Sequence, residues 1–482
     1  MLPQKISGAG SPHVVIIGGG FSGAFCAAQL AVHATAAVRI SVIEPREILG
    51  GGVAYSSPDP AHRINVPAAR MTLYPERPAD FDAWFRASGE VDDDPAALVA
   101  DGSAYPRRAA FGRYVAEIVA SRSAARPGVS IEHIRGRAVA VTRLGDGYQV
   151  ELAQGRKLHA GIVVLATSHP PPAPPRLIAQ ALGGDARLVA NPWHAAALDD
   201  VAPGNDVAII GTGLSMADVV ASLDQRGHAG RITAFSRRGL LPRGHAAYQE
   251  PFVWFAGHET PETALGLSRL VRGLVAQAGG SGTPWQAVFD DVRGNAKKIW
   301  DRLNEKERRR FLRHLRVFWD SHRYRIAPQI QSVLERKMAD RTLTVLPASL
   351  ASVRAQPDKV ILGIYPRRGR SGERLAVDRV IVTTGPAHGT IVDETPVLRS
   401  LAQQGLLQAD PLGLGVLVNG YGEAMTSNGT AATNLLVAGP LAREQYGELM
   451  GMPQVSAQAN AIAEHVAARL ATIGAKEFAV MR

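Results

Sequence analysis

Gly18, Gly20 and Gly23 stand at GxGxxG spacing, directly after the apolar run HVVII and at the head of FSGAFCAAQL. Each glycine has a task. The first permits a tight turn, the second lets backbone approach a pyrophosphate, and the third lets a helix pack closely on its sheet. The helix start, with Phe21 and Ser22, adds amides and a partial positive charge suited to phosphate. Glu44, followed by Pro45, closes a second predicted strand about twenty residues beyond the last glycine, where a carboxylate can accept hydrogen bonds from ribose hydroxyls. Strand, glycines, helix, strand and terminal acid in one frame predict a dinucleotide site.

The pattern returns in NDVAIIGTGLSMADVVASL at 205–223, followed by the strand-like RITAFS at 231–236. Gly211 and Gly213 repeat the first two glycines, and Leu214 and Ser215 open the helix. Met216 takes the third glycine's place, which predicts a helix further from its strand. No acid closes the next strand; Ser236, Arg237 and Arg238 occupy that corner. Guanidinium there suits a 2′-phosphate, which favours NADPH over NADH, while a solvated turn is the plainer reading.

Other elements must position these turns. Two short strands ending in small residues, GIVVLATSHPPP at 161–172 and DRVIVTTGPAHG at 378–389, bracket the second unit and bring in Thr167 and Gly385. The prolines at 170–175 cannot continue a helix or an internal strand and read as a stiff connection. NLLVAG at 434–439, ending at Gly439 and Pro440, is a further strand, and 454–472 has helical periodicity. The expected fold is α/β with two Rossmann-like dinucleotide-binding domains. Residues 1–190 and 386–482 form the first, discontinuous domain; 191–385 form the inserted second, with a helical insertion over about 260–340. Within that insertion Ile299, Leu303, Phe311, Leu315 and Trp319 share one face of a basic stretch at 285–325. It reads as a solvated helix pair packed on the core, or as a cap over a nicotinamide or substrate cleft.

A chain of 482 residues exceeds one hydrophobic core. Its net charge of +10 reads as compositional, or as a basic site for anionic cofactors, and requires no nucleic acid. The single cysteine, Cys26, excludes an intrachain disulfide and a CxxC pair, and reads as a small core residue. No signal peptide is evident at the start and no apolar run reaches ~20 residues, so a cytoplasmic protein without a membrane partner is expected. HExxH and CxxC spacings are missing, so no metal is indicated, and Ser215 lies in GLS rather than GxSxG.

The loop GGGVAYSSPDPAHRINVPAARMTL at 50–73 resembles the flavin-facing loops of FAD enzymes. NLLVAG and its following helix resemble the element whose helix N-terminus points at the flavin pyrimidine, with Pro440 where many such enzymes carry an acid. GTGLSMAD is similar to the nucleotide site of flavin monooxygenases. GGGFSG, GVAY, RINVPAARM, YPRRAAFGRYV, NPW, IIGTGLSMADVV, SRRGLLPR and FLRHLRVFWDSHRYR, in this order, resemble the bacterial FAD/NAD(P)-binding protein family that includes FAD-dependent urate hydroxylases.

That resemblance implies FAD in the first domain and NADPH or NADH in the second. It implies a monooxygenase reaction in which O2 and reduced flavin form a hydroperoxide that hydroxylates a small-molecule substrate, urate first among the guesses. Related two-domain flavoenzymes hydroxylate amino-acid nitrogens. Reduction of a quinone or carrier protein, and redox sensing by a bound flavin, stay open beside these. By position, Asn65 and Val66, with His62 and Arg63 before them, are candidates beside the reactive ring. Asn65 could hydrogen-bond the peroxide, and Arg63, Arg107 or Arg108 could face an anionic substrate; each could equally anchor the loop. His194 beside Trp193, and His314, His322 and Arg323, are weaker candidates. Oligomeric state is left open.

Overall fold

The first apolar run forms β1 (His13–Ile17), buried at every position, and the glycine turn starts the helix Phe21–His33. The chain is described by a computed structural model over residues 12–480, apart from 125, 168, 248–249, 368 and 370. β2 (Val38–Glu44) pairs parallel with β1, and β3 (Val129–Arg135) parallel with β2. A loop-rich stretch and the helix Arg108–Ala124 separate β2 from β3. An antiparallel meander follows: β4 (Ala138–Leu144), β5 (Gly147–Leu152) and β6 (Lys157–Ala160). β7 (Ile162–Leu165) then pairs parallel with the other edge of β1.

The chain next builds a second sheet. It contains β8 (Leu188–Val189), β9 (Val207–Ile210), β10 (Ile232–Ser236), β11 (Leu343–Ala355), β12 (Val360–Pro366), β13 (Glu373–Val377) and β14 (Arg379–Val382). Their order is β13-β12-β11-β10-β9-β14-β8, parallel from β11 to β8, with β12 and β13 antiparallel. The helix Leu214–Gln225 follows β9 just as Phe21–His33 follows β1. Ile178 and Leu182, ahead of β8, already pack into this sheet's core.

The chain then returns to the first sheet. β15 (Glu423–Met425) and β16 (Ala431–Val437) complete the order β15-β16-β7-β1-β2-β3, with β16 parallel to β7. The helix Gln454–Val480 packs on Phe21–His33. The outgoing and returning connections run side by side, joined by a bridge between Pro172 and Pro386.

The expected helix pair at 285–325 is instead four short helices: Trp285–Gly294, Ala296–Arg302, Glu305–His314 and Arg316–Arg323. The second break has a local cause. Leu303 is extended, and Asn304 starts a new helix, its side chain accepting from the Glu307 amide at 3.1 Å. Among the described residues no helix is long and apolar enough to cross a membrane.

Candidate functional site

Both glycine turns lie at the carboxyl ends of parallel strands, where open α/β sheets bind ligands. Gly18 has φ +105°, and a Cβ there would run into the Ala166 carbonyl. A Cβ on Gly23 would overlap the Gly18 oxygen, so only glycine lets this helix sit so close to β1. Gly20 lies back to back with Gly52, and its helix N-terminus has no side-chain cap, which leaves amides for a ligand. Glu44 is buried; one oxygen accepts from the Gly19 amide at 3.0 Å and the other from Arg46 Nη1 at 2.8 Å. Lone pairs remain on the carboxylate for hydroxyl donors. Beneath the turn, the Thr167 hydroxyl is buried without a hydrogen-bond partner among the described residues.

The late strand ends beside this turn. Gly439 (φ +81°) leaves room for the Ser22 hydroxyl, and Gln458, in the helix Gln454–Val480, accepts from the Gly439 amide at 2.8 Å. Pro440, half-buried, opens the next turn. Phe21 belongs to an aromatic core, with its ring 5.5 Å from Phe25 and 5.8 Å from Phe111, and Pro45 is exposed.

In the second unit Gly211 has φ +118°, and a Cβ there would come within 2.6 Å of both Thr383 oxygens. Gly213 has open space around it and begins a helix with no side-chain cap; Leu214 and Ser215 are half-buried beside it, and Met216 is buried in the core. The basic corner divides three ways. Ser236 is spent internally, 2.8 Å from Thr212 Oγ1 and 3.0 Å from the Gly239 amide. Arg238 lies over the Phe318 ring at 4.7 Å, and Arg237 is exposed. Gly385 adopts φ +83° beside the Pro172–Pro386 bridge.

The loop at 50–73 ties the two units together. Arg63 is buried, bidentate to Asp94 at 2.9 Å for each bond, and also donates to the Tyr105 carbonyl at 2.8 Å. Three of its five N–H donors are thereby committed within the loop, the arrangement of an anchor. Arg108 donates to the Arg63 carbonyl and forms a bidentate pair with Asp218, at 3.0 and 2.9 Å, on the helix Leu214–Gln225. It therefore joins the first unit to the second. Arg107 lies 3.7 Å from Asp94.

His62 makes the same crossing, 2.7 Å from Ser57 Oγ on one side and 3.2 Å from Ser222 Oγ on the other, and burial lowers its pKa. Asn65 and Val66 are half-buried, and the Asn65 amide has no hydrogen-bond partner among the described residues. Its backbone carbonyl accepts from His245 Nε2 at 3.0 Å. Burial holds His245 down to about 4, so the ring is neutral and that bond fixes its proton on Nε2. His245 was not foreseen, since nothing around RGHAA marks it as a partner of a residue 180 positions earlier.

The weaker candidates scatter. His194 is exposed near β8, beside half-buried Trp193, and His314 is exposed. His322 stacks on Phe289 at 4.9 Å, and Arg323 pairs with Glu448 at 2.8 Å, both side chains buried. Among the described residues no group of acids, histidines or cysteines could hold a metal ion.

Residues 15–170 match the family model described as FAD-NAD(P)-binding, and no curated protein matches the sequence. Three solved structures align end to end. Ornithine hydroxylase from Pseudomonas aeruginosa, in its reduced form, aligns at TM-score 0.61 and 15% identity, covering 96% of this chain and 100% of that one. The ornithine N-hydroxylase of Kutzneria sp. 744 gives 0.59 and 17%, covering 96% and 100%. L-lysine 6-monooxygenase from Pseudomonas syringae gives 0.60 and 18%, covering 96% and 99%. The chain shares the two-domain fold of these structures. At these identities the likeness is one of fold.

Proposed function

We propose that the chain is an NAD(P)H-dependent flavin monooxygenase that hydroxylates a small molecule. The observation that carries this reading is the pair of uncapped glycine turns, joined across the two units by His62 and Arg108. In this reading residues 1–190 and 386–482 hold FAD, and 191–385, with the helical insertion at about 260–340, hold NAD(P)H.

The chain's groups suit these cofactors. The Gly20–Ser22 amides would hold a pyrophosphate and Glu44 the ribose hydroxyls, while Thr167 Oγ1 supplies an unused hydroxyl and Gly439 leaves room at Ser22. Gly213 leaves backbone amides open in the second turn, and exposed Arg237 fits a 2′-phosphate. Bound FAD would accept hydride from the nicotinamide and activate O2. The protein's part is positioning. The Asn65 amide offers a donor and an acceptor at the end of a loop that His245, Arg63 and Arg108 hold in place.

Hydroxylation of an amino-group nitrogen is the first chemistry to assay, ahead of urate, because aligned structures are ornithine and lysine hydroxylases. A disulfide reductase is disfavoured: Cys26 is the sequence's only cysteine, and burial pushes its thiol up to about 12. The test is NADPH oxidation stimulated by an amine, an amino acid or urate, with product oxygen derived from O2. Flavin that NADPH fails to reduce, or electrons ending wholly in hydrogen peroxide with every candidate, refutes the reading.

A further inference from the structure

A cavity of about 580 Å³ lies within the helical insertion. The apolar stripe legible in the sequence, Ile299, Leu303, Phe311, Leu315 and Trp319, lines it in full. Ile299 and Leu303 are also packed in buried apolar clusters, so that face meets both side chains and a space, and the space falls in the ~300–1,000 Å³ range of small-molecule sites.

One part of the wall is cationic. Arg443 borders the cavity, is only 4% exposed, and makes no hydrogen bond or ion pair with any described residue; its Nε is buried without a partner. Glu448, also in the wall, and Asp320 lie near enough for their charge, with that of Tyr324, to raise its pKa against burial, but neither bonds to it: Glu448 bonds to Arg323 at 2.8 Å and Asp320 to Arg316 at 3.4 Å. A buried guanidinium that makes no direct bond leaves its donors unsatisfied, and a ligand carboxylate would give it two parallel charge-assisted bonds.

Two wall residues lead toward the candidate nucleotide sites. Arg443 follows Pro440 in the turn that packs near Ser22, and its charge acts on His169, just beyond β7. Phe318, elsewhere in the wall, carries the Arg238 guanidinium from the end of β10.

We propose that this cavity is the substrate pocket, and that it takes an elongated alkyl or aryl molecule whose carboxylate pairs with Arg443. Calling the occupant a substrate rests on the monooxygenase reading; its binding does not.

The test titrates FAD-loaded protein with decanoate, 1-decanol and decylamine, read by calorimetry and by the fluorescence of Trp300 and Trp319 in the wall. Decanoate is expected to bind about tenfold or more tightly than either analogue. Arg443→Met should erase that preference at unchanged FAD content, and Val271→Trp, at a half-exposed wall position, should weaken decanoate binding with Arg443 intact. Equal binding of the three ligands, or no binding, overturns the proposal, and that comparison needs no variant. Loss of FAD from Arg443→Met also overturns it, because FAD would then be the guanidinium's partner. Selective binding of decanoate, with no carboxylate, amine, amino acid or urate oxygenated, supports the pocket and sinks the monooxygenase reading. Oxygenation of an amine by protein that ignores decanoate does the reverse.

Discussion

Removing Asp94 separates an anchoring role for Arg63 from a chemical one. The two side chains are 9% and 5% exposed, and two bonds of 2.9 Å join them. Asp94 also accepts from the Arg107 amide at 3.2 Å. Deleting one partner of such a pair strands the other charge, at a cost of ~3–5 kcal/mol. Asp94→Ala belongs at the upper end, because it orphans an amide as well. At ~2–4 °C per kcal/mol for a domain of this size, the apparent melting temperature should fall by roughly 6–20 °C.

Substituting both partners by apolar residues, Arg63→Met with Asp94→Leu, removes the charges together with their desolvation penalty. The double variant should therefore recover most of the loss. Thermal release of flavin fluorescence reports the midpoint, and turnover per bound flavin at low temperature reports the chemistry. A shift under about 2 °C for Asp94→Ala, or strict additivity in the double variant, contradicts the buried-pair argument. Lost turnover in a stable, flavin-loaded double variant would return Arg63 to the chemistry.

Three further outcomes are expected. Gly23→Ala places a methyl group against the Gly18 carbonyl, so FAD affinity should drop by about tenfold or more; undiminished flavin absorbance in purified protein would refute the close-packing argument. Arg237→Ala should raise the KM for NADPH about tenfold and leave that for NADH unchanged; equal changes for both would return this arginine to the solvated turn. Burial holds His245 down to about 4 from the ordinary 6.5, so the unfolded chain takes the proton first. Its contribution is complete above pH 6.5 and is lost as pH falls toward about 4, so His245→Gln should flatten melting temperature against pH across that window. A curve parallel to the parent's would contradict this.

What the sequence made legible was local. Gly18 and Gly211 adopt positive φ against a neighbouring carbonyl, a demand that only glycine meets, and so residue type announces geometry. Arg63 with Asp94, Arg108 with Asp218 and Asn65 with His245 are separated by 31, 110 and 180 residues, and their partners carry no local signature. Without those pairings, a loop arginine that anchors cannot be told from one that binds. The helical insertion shows both limits in one segment. Four-residue steps identified the apolar face, but periodicity is silent on whether a face meets side chains or empty space. The break at Asn304 did have a signal in its Asn-x-x-Glu spacing, a helix-start pattern hidden inside a charged run.

β16 has consequences for the order of events on the ribosome. The first sheet waits, with β7 (Ile162–Leu165) at its edge, until residues 431–437 emerge, whereas every strand of the second sheet lies between residues 188 and 382. In the nascent chain the inner sheet can close while its older neighbour is still half-made. Translation halted before β16 would thus leave a finished second sheet beside an open strand edge, the state most prone to aggregate.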